Sequence, residues 1–340
     1  HLDVVRCAAI HPTAPLLLTA SDDHTAKLWD INSVLNHGAP FEIVDCLITL
    51  RKHTCSVKSV SFGPKQNWFF TADVDGKIFM WTITSLNPDD WAREDHLVEL
   101  TAELRVADAA IVCIESIATM DVLIASCTDH SLQSWFVDKC DSGNIVQSKP
   151  IYTCDSGTAI RLLLKPTDPN IIVIAFDSAN LAKWNILDGI IEYIETFKLD
   201  KETHSMLDAA YLRDCDRYLE MVIGAFDDGK LVWFNLENGD IVQTLLTHDN
   251  SVTSVVVLPP LILTSAHDGY VRIWMPDSQH KQYICKQERF VHRHKADEAI
   301  SMMCCRSPYF STAGADGLCR IYILKGLTDL NREIDQKPIL

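Results

Sequence analysis

The chain has 340 residues, 47% of them hydrophobic, which is enough for a packed core. Its 30 basic and 46 acidic side chains give a formal charge of −16, a balance that argues against nucleic acid as the primary partner. No apolar run approaches the roughly 18 residues needed to span a bilayer, and no signal peptide is visible.

The first copy of a recurring pattern begins at once. Val5 to Ile10 alternates as a strand, Leu16 to Ala20 is a second, and Ala26 to Trp29 a third that closes on an aromatic ring. Asp23 stands six residues before Trp29, in the turn between the second and third strands. The same grammar returns as Asp75 and Trp81, Asp129 and Trp135, Asp227 and Trp233, Asp268 and Trp274, and Asp316 and Tyr322. The fourth copy keeps Trp184, with Ser178 at the aspartate position and Asp177 one place early. The aromatics are 52, 54, 49, 49, 41 and 48 residues apart, a period that marks an internal repeat. Residues 32–52 and 85–104 read as long insertions, the second rich in acid. Residues 325–340 form a polar tail without a strand pattern.

Each turn aspartate has a physical task. It can accept from an imidazole at the preceding turn, which meets a threonine on the second strand, which in turn meets the indole N–H. Buried polar groups need such pairing. The sets are His1, Thr19, Asp23 and Trp29; His53, Thr71, Asp75 and Trp81; His248, Thr264, Asp268 and Trp274; and His292, Thr312, Asp316 and Tyr322. Copies three to five are incomplete. Ala125, Val173 or Ile174, and Ile223 replace the threonine, and only copy five retains a histidine, His204. A His-Asp-Thr group recurring in register with the fold is structural, whereas a catalytic triad occurs once.

No Gly-x-Ser-x-Gly, Gly-x-Gly-x-x-Gly, phosphate loop or His-Glu-x-x-His is present, so no catalytic residue, cofactor or metal is expected. The 12 cysteines include no Cys-x-x-Cys pair and no regular ligand spacing to histidine. Cys7, Cys113, Cys304 and Cys305 lie in apolar runs, as reduced buried thiols do, and a cytoplasmic address is expected.

The Asp-to-Trp grammar resembles WD repeats, and seven copies imply an all-β, seven-bladed WD-repeat β-propeller over residues 1–324. The ends are similar to a narrower family. His1-Leu-Asp-Val-Val-Arg-Cys-Ala-Ala-Ile-His-Pro12 with Ser21 to Trp29 resembles the opening propeller repeat of striatins. His292 to Ile300, with Asp297-Glu298-Ala-Ile300 after the turn histidine, and Ser311 to Gly317 resemble the closing one. The resemblance implies a non-enzymatic scaffold that assembles protein phosphatase 2A with germinal-centre kinases and a Mob-family protein. It also implies oligomerisation through a coiled coil outside this chain. A ubiquitin-ligase substrate receptor is the alternative, weakened because Trp29-Asp30-Ile31-Asn32-Ser33 lacks the arginine of the Trp-Asp-x-x-Arg signature.

Two classes of residue are candidates for the narrow end of the channel. One follows the apolar residue after each histidine turn: Arg6, Lys58, Ile111, Arg161, Asp208, Thr253 and Ser301. The other precedes the turn aspartate: Asp22, Val74, Thr128, Phe226, His267 and Ala315. Arg6, Lys58, Arg161, Asp22, Phe226 and His267 are the leading partner contacts, with Phe226 as an apolar anchor. The chain opens on His1 and reads as a domain of a longer protein. Residues before His1 are therefore expected to supply the outer strand of the last blade, leaving three strands here.

Overall fold

The computed structural model describes residues 1–37, 44–63, 65, 67–91, 97–106, 109–117, 121–137, 146–147, 152–153, 157–165, 168, 170–187, 190–197, 204–214, 219–277, 282–295 and 297–324. Among them the strands form seven antiparallel sheets whose first strands stand side by side in a closed ring. This is a seven-bladed β-propeller. Blade one is Val5–Ile10, Leu16–Ser21, Ala26–Asp30 and, outermost, Asp45–Leu50. Blade two is Val57–Phe62, Trp68–Asp73, Lys77–Ile83 and Val98–Arg105. Blade three is Ile111–Ile117, Val122–Cys127 and Ser131–Phe136, with Val146–Gln147 and Tyr152–Thr153 both pairing its third strand. Blade four is Ala159–Leu164, Ile171–Phe176, Leu181–Leu187 and Ile190–Phe197. Blade five is Met206–Asp214, Leu219–Phe226, Lys230–Asn235 and Ile241–Leu246. Blade six is Val252–Leu258, Leu261–Ala266, Tyr270–Asp277 and Gln282–Phe290. Blade seven is Ile300–Arg306, Tyr309–Gly314 and Cys319–Ile323, three strands among the described residues; 325–340 lie outside them.

The second strands are buried along most of their length because each sheet is covered on both faces by its neighbours. The core is accordingly a series of inter-blade layers. Trp81 packs into the layer shared with blade one, and Trp135 into that shared with blade two. The two insertions are partly regular structure. Asn32–His37 and Pro88–Trp91 are short helices, and Asp45–Leu50 and Val98–Arg105 are outer strands, so Glu99 and Glu103 lie on a sheet edge.

Strand register fixes which positions are equivalent. The pairs Ala20↔Ala26, Ala72↔Ile78, Ser126↔Leu132, Ala175↔Leu181, Ala225↔Leu231, Ser265↔Val271 and Ala313↔Cys319 centre the turns on Asp23, Asp75, Asp129, Ser178, Asp228, Asp268 and Asp316. The residue after each centre is left-handed: His24, Gly76, His130, Ala179, Gly229, Gly269 and Gly317, with φ between 63° and 84°. Blade five therefore corrects the sequence pairing of Asp227 with Trp233. Its turn centre is Asp228, and the residue six beyond is Phe234. Phe234 packs toward blade four, whereas Trp233 packs toward blade six. The threonine position of this blade is Gly224, and that of blade four is Ile174.

Blade seven meets blade one through side chains. The Arg306 guanidinium donates to the carbonyls of His11, Thr13 and Ala14 at 2.8–2.9 Å. At the opposite end of the same strands, Lys295 pairs with Asp3 at 2.6 Å and Arg6 with Glu298 at 2.7 Å.

The turn geometry makes a prediction. At Gly269 a Cβ would lie 2.5 Å from the His292 carbonyl, and φ is +81°. Gly269→Ala should cost more than about 1 kcal/mol. Ala179→Gly, at φ 63°, should stay within about 1 kcal/mol of the parent. Urea unfolding of both variants checks this, and equal losses would contradict it.

Candidate interaction surface

The buried sets define the scaffold beneath the surface. His1 lies 2.9 Å from Asp23 through Nδ1 and 2.7 Å from Thr19 Oγ1 through Nε2, and Trp29 donates to Thr19 at 2.8 Å. In blade six His248 meets Asp268 at 2.8 Å and Thr264 at 2.7 Å, and Trp274 donates to Thr264 at 2.9 Å. A carboxylate can only accept, so Nδ1–H donates to it. The Nε2 lone pair then takes the threonine O–H, and the threonine oxygen takes the indole N–H. Every donor is used and the imidazole is committed at both nitrogens.

Two sets differ from the sequence reading. In blade two His53 bonds Asp73, at 2.7 Å, and not Asp75. Thr71 and Trp81 complete that set at 2.7 and 3.0 Å. Asp73 also accepts from the amides of Asp75 and Lys77, at 3.0 Å each, so one buried carboxylate from the strand end serves the imidazole and the turn. Asp75 is exposed at the turn tip. In blade seven His292 meets Asp316 and Thr312 at 2.8 and 2.9 Å, but Tyr322 has no indole N–H and stacks on Phe310 at 5.0 Å. Arg320 holds Asp316 from the other side at 3.0 Å.

The face that carries the tight turns is shaped by a bulge in every first strand. The register slips around Arg6, Lys58, Val112, Ile160, Leu207, Thr253 and Ser301. In blades three to five these are not the residues expected from sequence. Ile111 is a buried core residue one place before the bulge. Arg161 and Asp208 lie one place after it and point at the neighbouring blade. There they join a chain of contacts from one inner strand to the next. Ser59 Oγ accepts from Ile114 N at 3.0 Å, and Asp208 accepts from Ser254 Oγ at 2.7 Å and Val255 N at 3.0 Å. Arg161 spans Asp208, at 3.3 Å, and Glu115, at 3.8 Å. Asp208 holds the Arg161 guanidinium charged against the cost of burial, and burial pushes the Glu115 carboxyl up. Arg161 is thus paired with the buried Asp208 and is not a free cation. A cavity of about 240 Å³ lies beside it, lined by Glu115, Ser116, Leu163 and Ile172.

In the ring of turns, backbone bonds make Asp22, Val74, Thr128, Asp177, Asp227, His267 and Ala315 equivalent. Phe226 falls one place inside that ring. It is 7% exposed, packs 6.4 Å from Phe234, and is no apolar anchor. Ala315 is buried. Arg6 donates to Asp22 at 2.7 Å, and Lys58 stands 3.6 Å from the other oxygen of Asp22. His267 is half-buried, and burial lowers its pKa. The mouth is therefore sectored. At the bulges, blades one and two present Arg6 and Lys58, blades three to five the aliphatic Val112, Ile160 and Leu207, the last 38% exposed, and blades six and seven Thr253 and Ser301, while the ring of turns is polar in blades three to five at Thr128, Asp177 and Asp227.

Comparison with known proteins fits this geometry. The WD domain, G-beta repeat family matches residues 1–30, 44–82 and 239–275. Those segments hold the first three strands of blades one and two and most of those of blade six, the three blades with a complete histidine, threonine, aspartate and tryptophan set. The chain is similar to striatin-3 of Rattus norvegicus, 26% identical over 338 residues, covering 95% of this chain and 40% of the relative. It is similar to striatin of Mus musculus, 25% identical over 337 residues, covering 95% and 41%. The chain thus spans about two fifths of the length of the curated relatives it matches. The crystal structure of the WD40 beta propeller domain of Doa1 shares the fold, with a TM-score of 0.68, 17% identity, and coverage of 94% of this chain and 93% of that one.

Two predictions follow from the buried sets. Asp73→Ala leaves the His53 Nδ1–H and two turn amides without an acceptor, at about 1–3 kcal/mol per buried group. Asp75→Ala, at the exposed tip, should shift stability by less than about 0.5 kcal/mol. Thermal melts of the pair distinguish the two carboxylates. Acid should expose the same network. Burial opposes ionisation of Asp316, but His292 and Arg320 more than offset it and hold the carboxyl down from 3.8 to about 2. Its contribution is therefore complete above about pH 4 and is lost as pH falls toward about 2. The difference in melting temperature between the parent and Asp316→Asn should shrink across that window. A constant difference would contradict the assignment.

Proposed function

We propose that this chain is a non-enzymatic protein-interaction scaffold, the propeller of a striatin-like cytoplasmic subunit. In this reading it helps assemble protein phosphatase 2A with germinal-centre kinases and a Mob-family protein. The observation that carries it is similarity to striatins along 95% of the chain. The site chemistry supports it. The recurring His-Asp-Thr groups have His side chains 0–1% exposed with both ring nitrogens committed, so they serve folding. The surface beside them is a sectored mouth of charged, aliphatic and hydroxyl residues, which suits a docked segment with different side chains along its length. No helix is long and apolar enough to cross a membrane among the described residues.

The test is affinity purification with quantitative mass spectrometry on the parent and on Leu207→Asp, whose side chain is exposed at the mouth. The parent should capture phosphatase, kinase and Mob subunits. The variant should lose at least one of them by about tenfold or more while melting like the parent. Capture of cullin adaptors instead would favour a ubiquitin-ligase receptor and overturn the reading.

A further inference from the structure

The carboxylates of the tight turns are neutralised by cations in some blades and not in others. Arg272 holds Asp268 at 3.2 Å, and Arg320 holds Asp316 at 3.0 Å. In the ring of turns, Asp22 takes Arg6 Nη2 from the bulge of its own blade at 2.6 Å and faces Lys58 from the next bulge at 3.6 Å. Asp177 holds the place of Asp22 in blade four. Its N–H donates to Thr158 O at 3.0 Å, as that of Asp22 donates to Val4 O at 3.0 Å. The two bulges beside it are those at Ile160 and Leu207, so neither supplies a cation. Among the described residues Asp177 has no ion pair, and its side chain has one hydrogen bond, from Thr158 N to Oδ1 at 2.9 Å.

Given the docking role proposed for the mouth, we infer that its blade-four sector receives an arginine or lysine of the docked protein segment. The stem of that side chain lies on Ile160 and Leu207, and its charged head meets Asp177. Leu207 is 38% exposed, and Ile160 packs against the layer between blades four and five with part of its surface open. An apolar strip thus runs up to a carboxylate that lacks a counter-ion. A long basic side chain has the same order of parts, an apolar stem ending in a charge. Its head does for Asp177 what Arg6 and Lys58 do for Asp22.

The surroundings select the sign of the charge. Arg161, one place beyond Ile160, is already turned to Asp208 at 3.3 Å and Glu115 at 3.8 Å. Asp227, the next member of the ring, meets the imidazole of His204 at 3.1 Å and adds a second carboxylate to this side. An acidic segment would bring like charges together. A wholly apolar one would cover the Asp177 carboxylate without a partner. The formal charge of −16 also favours the approach of a basic segment.

The test is panning of a phage-displayed random peptide library on the reduced protein at physiological salt. The selected peptides should share an arginine or lysine beside an aliphatic residue. Their affinity, read by fluorescence polarisation, should fall by about tenfold or more with Asp177→Asn, and as much when the shared basic residue becomes glutamine. The two changes together should cost little more than either alone. Ile160→Arg copies the blade-one arrangement into blade four; it should pair with Asp177 and weaken binding by a similar factor. Glu237→Gln removes an exposed acid at the far end of the third strand of blade five and should change nothing. Melting curves establish that each variant is folded. The proposal is overturned if no peptide is selected, if the peptides share no basic residue, or if Asp177→Asn or Ile160→Arg keeps the parent's affinity. It is also overturned if Glu237→Gln weakens binding as much as Asp177→Asn, the mark of unspecific charge attraction. Peptides lost with Leu207→Ser but not with Asp177→Asn would overturn it and leave the docking face intact. Failure of the scaffold reading shows separately, in the capture of cellular subunits.

Discussion

A buried imidazole with both nitrogens committed is the constraint on which four of the seven blades are built. Radial sheets are covered on both faces, so polar groups near the turns have no water to meet. The histidine resolves this by linking four segments in one chain of bonds: its own turn, the aspartate of the tight turn, the threonine of the second strand and the indole of the third. Each group uses the other's spare lone pair or proton. Dropping one member strands its neighbours unless another contact takes its place, as the stack of Tyr322 on Phe310 does where blade seven lacks the indole.

Blades three to five lose the threonine that joins imidazole to indole. Ala125, Ile174 and Gly224 hold the threonine place, and at Gly224 the space is filled by the rings of Phe226 and Phe234, 3.0–3.1 Å from where a Cβ would stand. An apolar filling needs no partner, so exchange of a whole polar set for hydrophobes need not cost stability. Blade five carries an orphaned polar group on its other face. In blade five Trp233, facing blade six and stacked 5.4 Å from Tyr283, has no acceptor for its Nε1 among the described residues. The same arc carries the ion pair of Arg161 and Asp208 between inner strands. Cohesion in this arc therefore comes from packing and one partly exposed charge network at the channel, and in the other arc from the turn networks as well.

The repeat count, most turn aspartates and the buried sets of blades one and six were legible in sequence, because they rest on regular spacing along the chain. What was illegible depends on one-residue offsets between strands. Asp73 and Asp75 are two apart in one turn, and nothing in sequence says which reaches His53. In blade five the six-residue spacing fits both Asp227 with Trp233 and Asp228 with Phe234. The tryptophan made the wrong pair more conspicuous, and it carried Phe226 from the core to the supposed surface. The first-strand bulges have no residue signature either: Arg6, Val112 and Thr253 occupy the same geometry. Missing their placement put Arg161 and Asp208 on the mouth when they face the next blade. The pairing of His204 with Asp227 was legible from the turn spacing, whereas its second contact, with Asp228, was not.

Ring closure shows how local register becomes a surface property. With three strands described in blade seven, the bonds that tie it to blade one come from side chains at both ends of the inner strands. Arg306 caps three carbonyls at one end; Arg6 and Lys295 reach acids across the seam at the other. The bulge at Arg6 points its guanidinium toward Asp22 and Glu298, so the residue that helps close the ring is also part of the docking face. The bulges at Val112, Ile160 and Leu207 perform no such closure and are left aliphatic. A single backbone irregularity, repeated seven times with different side chains, gives one sector of the mouth its charge and another its apolar character.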